Sequence, residues 1–392
     1  MEITIGKQEL IQTLSIVQGI LDKAGDSILS HIKLEAFENE VRFTASSNQN
    51  IWITTSVTEG LEVKETGSIC VKGHRLFSIA KALQYPSVVL KLETNSENNI
   101  PQFSVLNGKA SFKISECKSA DEYPPLNTFN AFTNISLENA SLKRMIDETG
   151  FSIAEKERSG LNGVRLERIV EDDGNYFRMV SSDGTRLSLS QAKYEGELDP
   201  DIDEVFEVTL FPQKALLEIK KLCEIGDDDS GAGEDNWKLH FGERESQFQK
   251  GHTKITVAMI AGQFPGYHEL VEGMAIPNKA SINRKDLLDI CRRAAIFITK
   301  SKTSIRVDLQ EELLTISIKN PDVGSFSESI SQDYFGNEYS FFFNFLFLQD
   351  VLRAVSTECI EMNFGHSKNS AVLMTVPDRS DCKFVIMPMK MQ

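Results

Sequence analysis

The sequence predicts an α+β chain of three repeated domains, each with two helices packed on antiparallel sheet. Three observations carry that expectation. One helical apolar stripe occurs three times at a single spacing, strand-like alternation follows each stripe, and each unit has a second half of similar build. The fullest copy spans 142–189. Leu142, Ile146, Thr149 and Ile153, at +4, +7 and +11, line one helix face. Leu161-Asn162-Gly163-Val164-Arg165-Leu166 then alternates as a strand, and the Asp172-Asp173-Gly174-Asn175 turn leads to Phe177, Met179 and Ser181. Ser182-Asp183-Gly184-Thr185-Arg186-Leu187 turns into a further strand.

In chain order, Leu10, Leu14, Val17 and Leu21 give the first stripe, followed by Ile32 and Leu34, then by Val41, Phe43 and Ala45. The second half of that domain is Ile69 and Val71, a helix on Leu76, Ala80 and Leu83, and a strand at 88–92. The second domain continues with Val208 and Leu210, a helix on Leu216, Ile219 and Leu222, and a strand on Trp237, Leu239 and Phe241. In the third, Leu287, Cys291, Ala294 and Ile298 repeat the stripe, and Ile305, Val307, Leu314, Ile316 and Ile318 supply strands. Its second half runs through Phe341 and Phe343, a helix on Leu348, Val351 and Val355, and a strand on Ile360, Met362 and Phe364. Repetition at separations of about 130 to 145 residues marks an internal triplication. Asp121-Glu122-Tyr123-Pro124-Pro125 and Gly262-Gln263-Phe264-Pro265-Gly266-Tyr267 close the first two units, which gives domains at 1–127, 128–273 and 274–392. The Asp- and Gly-rich segment 226–236 reads as an exposed hairpin loop.

With 392 residues, 41% hydrophobic and 25% charged, the chain has the composition of a multidomain globular protein. No apolar run reaches membrane-spanning length, and the start, Met1-Glu2-Ile3-Thr4-Ile5, alternates like a strand rather than a signal peptide. Six scattered cysteines without a Cys-x-x-Cys pair read as buried hydrophobes in a reducing cytoplasm. A net charge of −15 argues against nucleic acid unless positive charge is segregated. Segregation is what the pattern shows. Six helices expected at 7–24, 72–84, 138–158, 212–224, 283–302 and 345–358 sum to +6, leaving −21 on the rest of a chain whose total is −15. A mildly basic helical surface suits phosphates, and Arg75, Lys81, Arg292 and Arg293 are its candidate contacts.

Catalytic signatures are missing from the sequence. Ser30–Lys33 and Ser115–Lys118 match Ser-x-x-Lys, but both fall in strand or strand-edge sequence, where the lysine is not one helical turn from the serine. There is no Gly-rich phosphate loop, and none of the six histidines has a partner at metal-ligand spacing. No enzyme activity, metal or cofactor is expected.

The chain resembles the beta subunit of bacterial DNA polymerase III, the sliding clamp, over essentially its full length. The resemblance rests on Leu161-Asn162-Gly163, on Ser182-Asp183-Gly184-Thr185-Arg186-Leu187, on Gln263-Phe264-Pro265-Gly266-Tyr267 and on the C-terminal Val385-Ile386-Met387-Pro388-Met389. It implies a DNA clamp fold and a head-to-tail homodimer, a ring of six domains with helices lining the hole. It further implies a processivity factor that encircles double-stranded DNA without reading its sequence. The implied partners are the polymerase III catalytic subunit, the clamp loader, and other polymerases and repair proteins carrying clamp-binding motifs. The implied partner-peptide pocket is Leu161, Ser182, Gly184, Thr185, Arg186, Leu187, Pro265, Leu270, Phe347, Val385, Ile386, Met387, Pro388 and Met389. Basic positions matched to the family's DNA contacts are Lys23, Arg158 and Lys214. Phe112 and Ile114, against Ile296 and Phe297, are the expected dimer seam. Thr185 and Glu269 depart from the family's usual histidine and arginine, Lys390-Met391-Gln392 extends the tail, and Ser159-Gly160 replaces an aromatic pair. A repeat-built protein scaffold that never encircles DNA is the competing reading, and the charge on the helix faces separates the two.

Overall fold

The computed structural model describes residues 1–392 other than 23, 24, 26, 95–100, 127–130, 132, 156–159, 226–235, 275, 335, 366–369 and 390–392. The expected loop at 226–236 therefore lies almost wholly outside the described residues, as do Lys23 and Arg158. The chain forms two compact units. One holds Met1–Asn139, Glu195–Ile202 and Leu217–Met259; the other holds Ala140–Tyr194, Asp203–Leu216 and Ile260–Gln392. The division cuts through the second repeat because strand pairing joins each half of that repeat to a different neighbour.

In the first unit, a ten-stranded sheet runs in the order Cys117–Lys118, Gly67–Lys72, His31–Ala36, Val41–Ser46, Ile51–Val57, Thr253–Ala258, Glu245–Lys250, Asn236–Phe241, Thr133–Glu138, Glu195–Glu197. Alongside it, a five-stranded sheet ends at Ala110–Ile114. In the second unit, a nine-stranded sheet runs Ile260–Ala261, Thr209–Pro212, Gly163–Glu171, Gly174–Ser182, Arg186–Lys193, Arg379–Ile386, Val372–Val376, Cys359–Phe364, Asn278–Asn283. A four-stranded sheet there ends at Gly324–Ser331.

The three stripes fold alike. Helices Lys7–Val17, Asn139–Thr149 and Arg284–Ala294 each continue into one 3₁₀ turn, Gln18–Ile20, Gly150–Ser152 and Ala295–Phe297. The fourth stripe residues, Leu21, Ile153 and Ile298, then adopt extended backbone. The helices are thus shorter than expected, since the last apolar residue of each stripe packs from the chain that leaves the helix. The second-half helices, Gly73–Ala82, Gln213–Glu224 and Phe345–Ala354, lie close to their expected ranges. Short helices at Ile202–Val208 and His268–Glu272 were not legible in the pattern.

Two strand pairs hold consecutive repeats together, and they are equivalent under the triplication. In the first seam, Ile51–Val57 pairs antiparallel with Thr253–Ala258, Ile53 opposite Ile255. In the second, Arg186–Lys193 pairs with Arg379–Ile386, Ser188 opposite Phe384. Even the bond that closes each ladder recurs. Ala258 N–H donates to Asn50 C=O at 3.0 Å, and Met387 N–H donates to Thr185 C=O at 2.9 Å. The third repeat's counterpart strand, Gly324–Ser331, and the first repeat's counterpart, Ala110–Ile114, are each the outer strand of their sheet.

Candidate functional site

All fourteen residues of the expected pocket lie in the second unit, around one turn. Gly184 sits at φ +89°, a conformation that favours glycine, and lets the chain reverse between Gly174–Ser182 and Arg186–Lys193. Asp183 and Ser182 supply the turn's internal bonds. Asp183 Oδ1 accepts from the Thr185 and Arg186 N–H groups at 2.9 and 3.1 Å, and Ser182 Oγ donates to Arg186 C=O at 2.7 Å.

Arg186 ties this turn to the third repeat. Its guanidinium donates to Asp183 Oδ2 (2.9 Å), Asp350 Oδ2 (2.7 Å) and Phe151 C=O (2.6 Å). It also lies 4.3 Å from the ring centroid of Phe347 and 5.4 Å from that of Phe151. Its charged donors are committed inside the chain, so it fixes Phe347 beside the turn. Phe151, Asp183 and Asp350 were missed by sequence reasoning; the signal was the need of a half-buried arginine for acidic partners.

The C-terminal tail crosses this wall. Leu187 stands opposite Val385 and Arg186 opposite Ile386. Beyond the ladder, Met389 N–H donates to Phe342 C=O at 2.6 Å, in the neighbouring four-stranded sheet. Pro388, which has no N–H, marks the change of partner. Met387 and Met389 remain 40% and 41% exposed, whereas Leu187, Val385 and Ile386 are buried and support the surface from behind.

A further wall comes from 160–161 and 263–271. Gly160 has φ +82°, and a Cβ there would stand 2.3 Å from Gln263 C=O, so only glycine allows the two segments to meet. Phe264 and Tyr267 are buried edge to face at 6.2 Å and leave Pro265 exposed. Tyr267 donates its hydroxyl to Glu167 Oε2 at 2.5 Å and accepts from Arg178 at 3.3 Å; burial, then the Glu167 carboxylate, raises its pKa. With Val271 they join a cluster containing Val180, Leu187, Leu189 and Val385, against which Leu161 packs. Leu270, on the same short helix as Val271, is 40% exposed. The surface is apolar, methionine-bearing and fixed by buried anchors, which suits short hydrophobic peptides.

The basic candidates carry less free charge than the sequence suggests. Arg75 pairs with Glu116, Arg292 with Asp289 at 2.7 Å, and Arg293 with Glu328, while Lys81 lies over Phe77 at 4.1 Å. Lys214 makes no ion pair among the described residues. At the expected dimer seam, Ile296 is 72% exposed, Phe112 and Phe297 are half-buried, and Ile114 is buried in its own unit. Burial of Ile114 follows from its place on the inner face of the five-stranded sheet, opposite Phe103.

Comparison with known proteins covers the whole chain. Models of the DNA polymerase III beta subunit match its N-terminal domain at residues 1–127, its central domain at 136–266 and its C-terminal domain at 275–390. The beta sliding clamps of Haemophilus influenzae and Pseudomonas aeruginosa are 25% and 26% identical, each over 100% of both chains. The crystal structure of a sliding clamp from Bartonella birtlesii, bound to griselimycin, superposes with a TM-score of 0.87 at 22% identity, covering 100% of each chain.

Proposed function

The chain belongs to the DNA polymerase III beta subunit family, and from that premise we propose how its residues perform the work of a DNA sliding clamp. Two copies join head to tail around duplex DNA, and the surface at the Gly184 turn holds short hydrophobic segments of the polymerase, the clamp loader and other DNA-processing proteins in turn. The protein acts as a tether rather than a catalyst. Retention comes from topology. Lys214, together with Arg75, Lys81, Arg292 and Arg293, meets phosphates through contacts that carry no sequence information and that salt weakens.

The repeat supports the dimer. Each seam within the chain pairs the fourth strand of one repeat with a late strand of the next. The equivalent fourth strand of the third repeat, Gly324–Ser331, is an outer strand of its sheet, as Ala110–Ile114 is of its own, and takes Ala110–Ile114 of a second copy. Carrying over the register of the two internal seams places Phe326 opposite Phe112 of the partner subunit, with the tilted ring of Phe297 6.0 Å from that of Phe326. Such pairing covers two open edges with an aromatic centre.

The observation that carries the pocket is the crossing of the tail, with Met387 bonded to Thr185 and Met389 to Phe342 while both side chains stay exposed. The test is titration of a fluorescent hydrophobic clamp-binding peptide against the full chain and a chain lacking 387–392. Loss of a central anchor of this kind costs about 2 kcal/mol, roughly thirtyfold in affinity. Equal affinities would place the partner site elsewhere.

A further inference from the structure

The sheet face of the first seam, opposite its core side, holds an open cleft of about 670 Å³. Five consecutively opposed residues cross its floor: Lys33, Thr44, Thr54, Lys254 and Gln249. The equivalent row of the second seam is Arg165, Val180, Leu189, Lys383 and Thr375. Cations hold the same places in both rows, and the central pair changes from two threonines to valine and leucine. In the second seam that face is closed by the chain itself, since Tyr267 seats its hydroxyl between Glu167 and Arg178.

The first seam keeps the socket and lacks the tyrosine. Glu35 stands opposite Arg42 as Glu167 stands opposite Arg178. Lys33 pairs with Glu35 at 2.8 Å, as Arg165 pairs with Glu167 at 2.7 Å. Buried Tyr123, followed by Pro124, repeats buried Phe264, followed by Pro265. Three residues after Tyr123, however, stands Leu126, 42% exposed, where three residues after Phe264 stands Tyr267. Arg42 uses Nε and Nη2 on Glu40, leaving Nη1 without a hydrogen bond among the described residues. Lys254 makes no ion pair among the described residues. We infer that this cleft docks a tyrosine-bearing, acidic segment of a partner protein, its phenol taking the Glu35–Arg42 position and its carboxylate meeting Lys254. A volume of this size accommodates several residues of extended peptide.

The probe is the blocked dipeptide N-acetyl-Glu-Tyr-amide, compared with N-acetyl-Glu-Phe-amide by saturation-transfer NMR on the full chain. The phenylalanine analogue, lacking the hydroxyl, binds roughly tenfold more weakly. Leu126→Tyr supplies the missing phenol in cis and abolishes binding, and because Leu126 is exposed the variant keeps its unfolding temperature or raises it. Glu35→Gln weakens the tyrosine probe and leaves the phenylalanine one unchanged. The inference is overturned if neither dipeptide binds, if both bind equally, or if Leu126→Tyr has no effect. Displacement of the probe by the hydrophobic clamp-binding peptide would also overturn it, because that peptide addresses the Gly184 turn.

Discussion

The two internal seams share a backbone frame and differ in what their side chains do with it. At the second, Arg186 reaches an aspartate, a carbonyl and two aromatic faces of its surroundings. At the equivalent place in the first seam stands buried Ile51. Where Phe151 presents a ring and a carbonyl to Arg186, the first repeat has Gly19, and Glu218 fills the space beside it, so closely that a Cβ would lie 2.1 Å from Oε2. Behind the second seam, Glu148 is wholly buried and accepts from Arg379 at 2.9 Å, Arg144 at 3.1 Å and Ser190 at 2.6 Å. Its counterpart in the first repeat is Ile16. Ladder hydrogen bonds set the geometry of both seams, and the side chains make one a charged clasp beside an apolar surface and the other a hydroxyl-lined cleft.

The sharpest way to break the comparison is to remove Glu148. In Glu148→Ala, Arg144 and Arg379 lose a buried carboxylate, and breaking such a group costs about 3–5 kcal/mol. Denaturant unfolding of the full chain should show a loss of that order, whereas Ile16→Ala, at the equivalent place, should cost less. Equal losses would mean that the clasp contributes no more than packing.

The seam between copies comes next in size. Phe326→Asp places a carboxylate at the aromatic centre of the expected dimer contact, and a central anchor of this kind is worth about 2 kcal/mol or more. Sedimentation should show a dissociation constant raised at least roughly thirtyfold. A crosslink between Ser327→Cys and Ser111→Cys of opposite copies sharpens it further, since a ladder slipped by one residue would separate those positions. Ile296→Ala with Phe297→Ala should weaken the same contact.

A smaller effect is expected at the first seam. Thr55 and Thr253 share a hydrogen bond between their hydroxyls at 2.9 Å across the ladder. Thr55→Val removes it at nearly constant volume, with an expected loss of about 1 kcal/mol. A loss as large as that of Glu148→Ala would erase the distinction between the seams.

Local periodicity made the three repeats legible, because Leu10, Leu142 and Leu287 each open a stripe that needs only a few neighbouring residues to be seen. The ends of the helices were less legible, since Leu21, Ile153 and Ile298 keep the stripe's spacing while the backbone has already left the helix. Pairing across 200 residues or so leaves no local trace, so the seams could not be read. The motifs around Gly184 and Pro388 pointed to the expected pocket only through resemblance. They did not reveal that Arg186 is held by Asp350 and Phe151, which lie far away in sequence. Helix composition overstated the basic surface for a related reason: Glu116 and Glu328, which neutralise Arg75 and Arg293, come from outside those helices.

The smallest predicted effect lies at the edge of the first-seam cleft and concerns pH. Glu40 accepts a hydrogen bond from Ser56 at 2.6 Å and is paired with Arg42 at 3.0 Å. The Ser56 bond, and then the Arg42 charge, holds its carboxyl below the ordinary value of 4.5. A carboxyl whose pKa is lowered on folding binds its proton less readily in the folded state than in the unfolded one. Its contribution to stability is therefore complete above the unfolded value and lost as acid carries the pH down through the folded value. Ser56→Ala should raise the folded pKa of Glu40 toward 4.5 and flatten that part of the stability curve, with little change at neutral pH beyond the lost hydrogen bond. Carboxyl-carbon NMR of Glu40, followed from pH 6 downward in the wild-type and Ser56→Ala chains, reads the shift directly. No change between the two would mean that Arg42 alone holds the charge, and that the hydroxyl row flanking the cleft is free to bond a ligand instead.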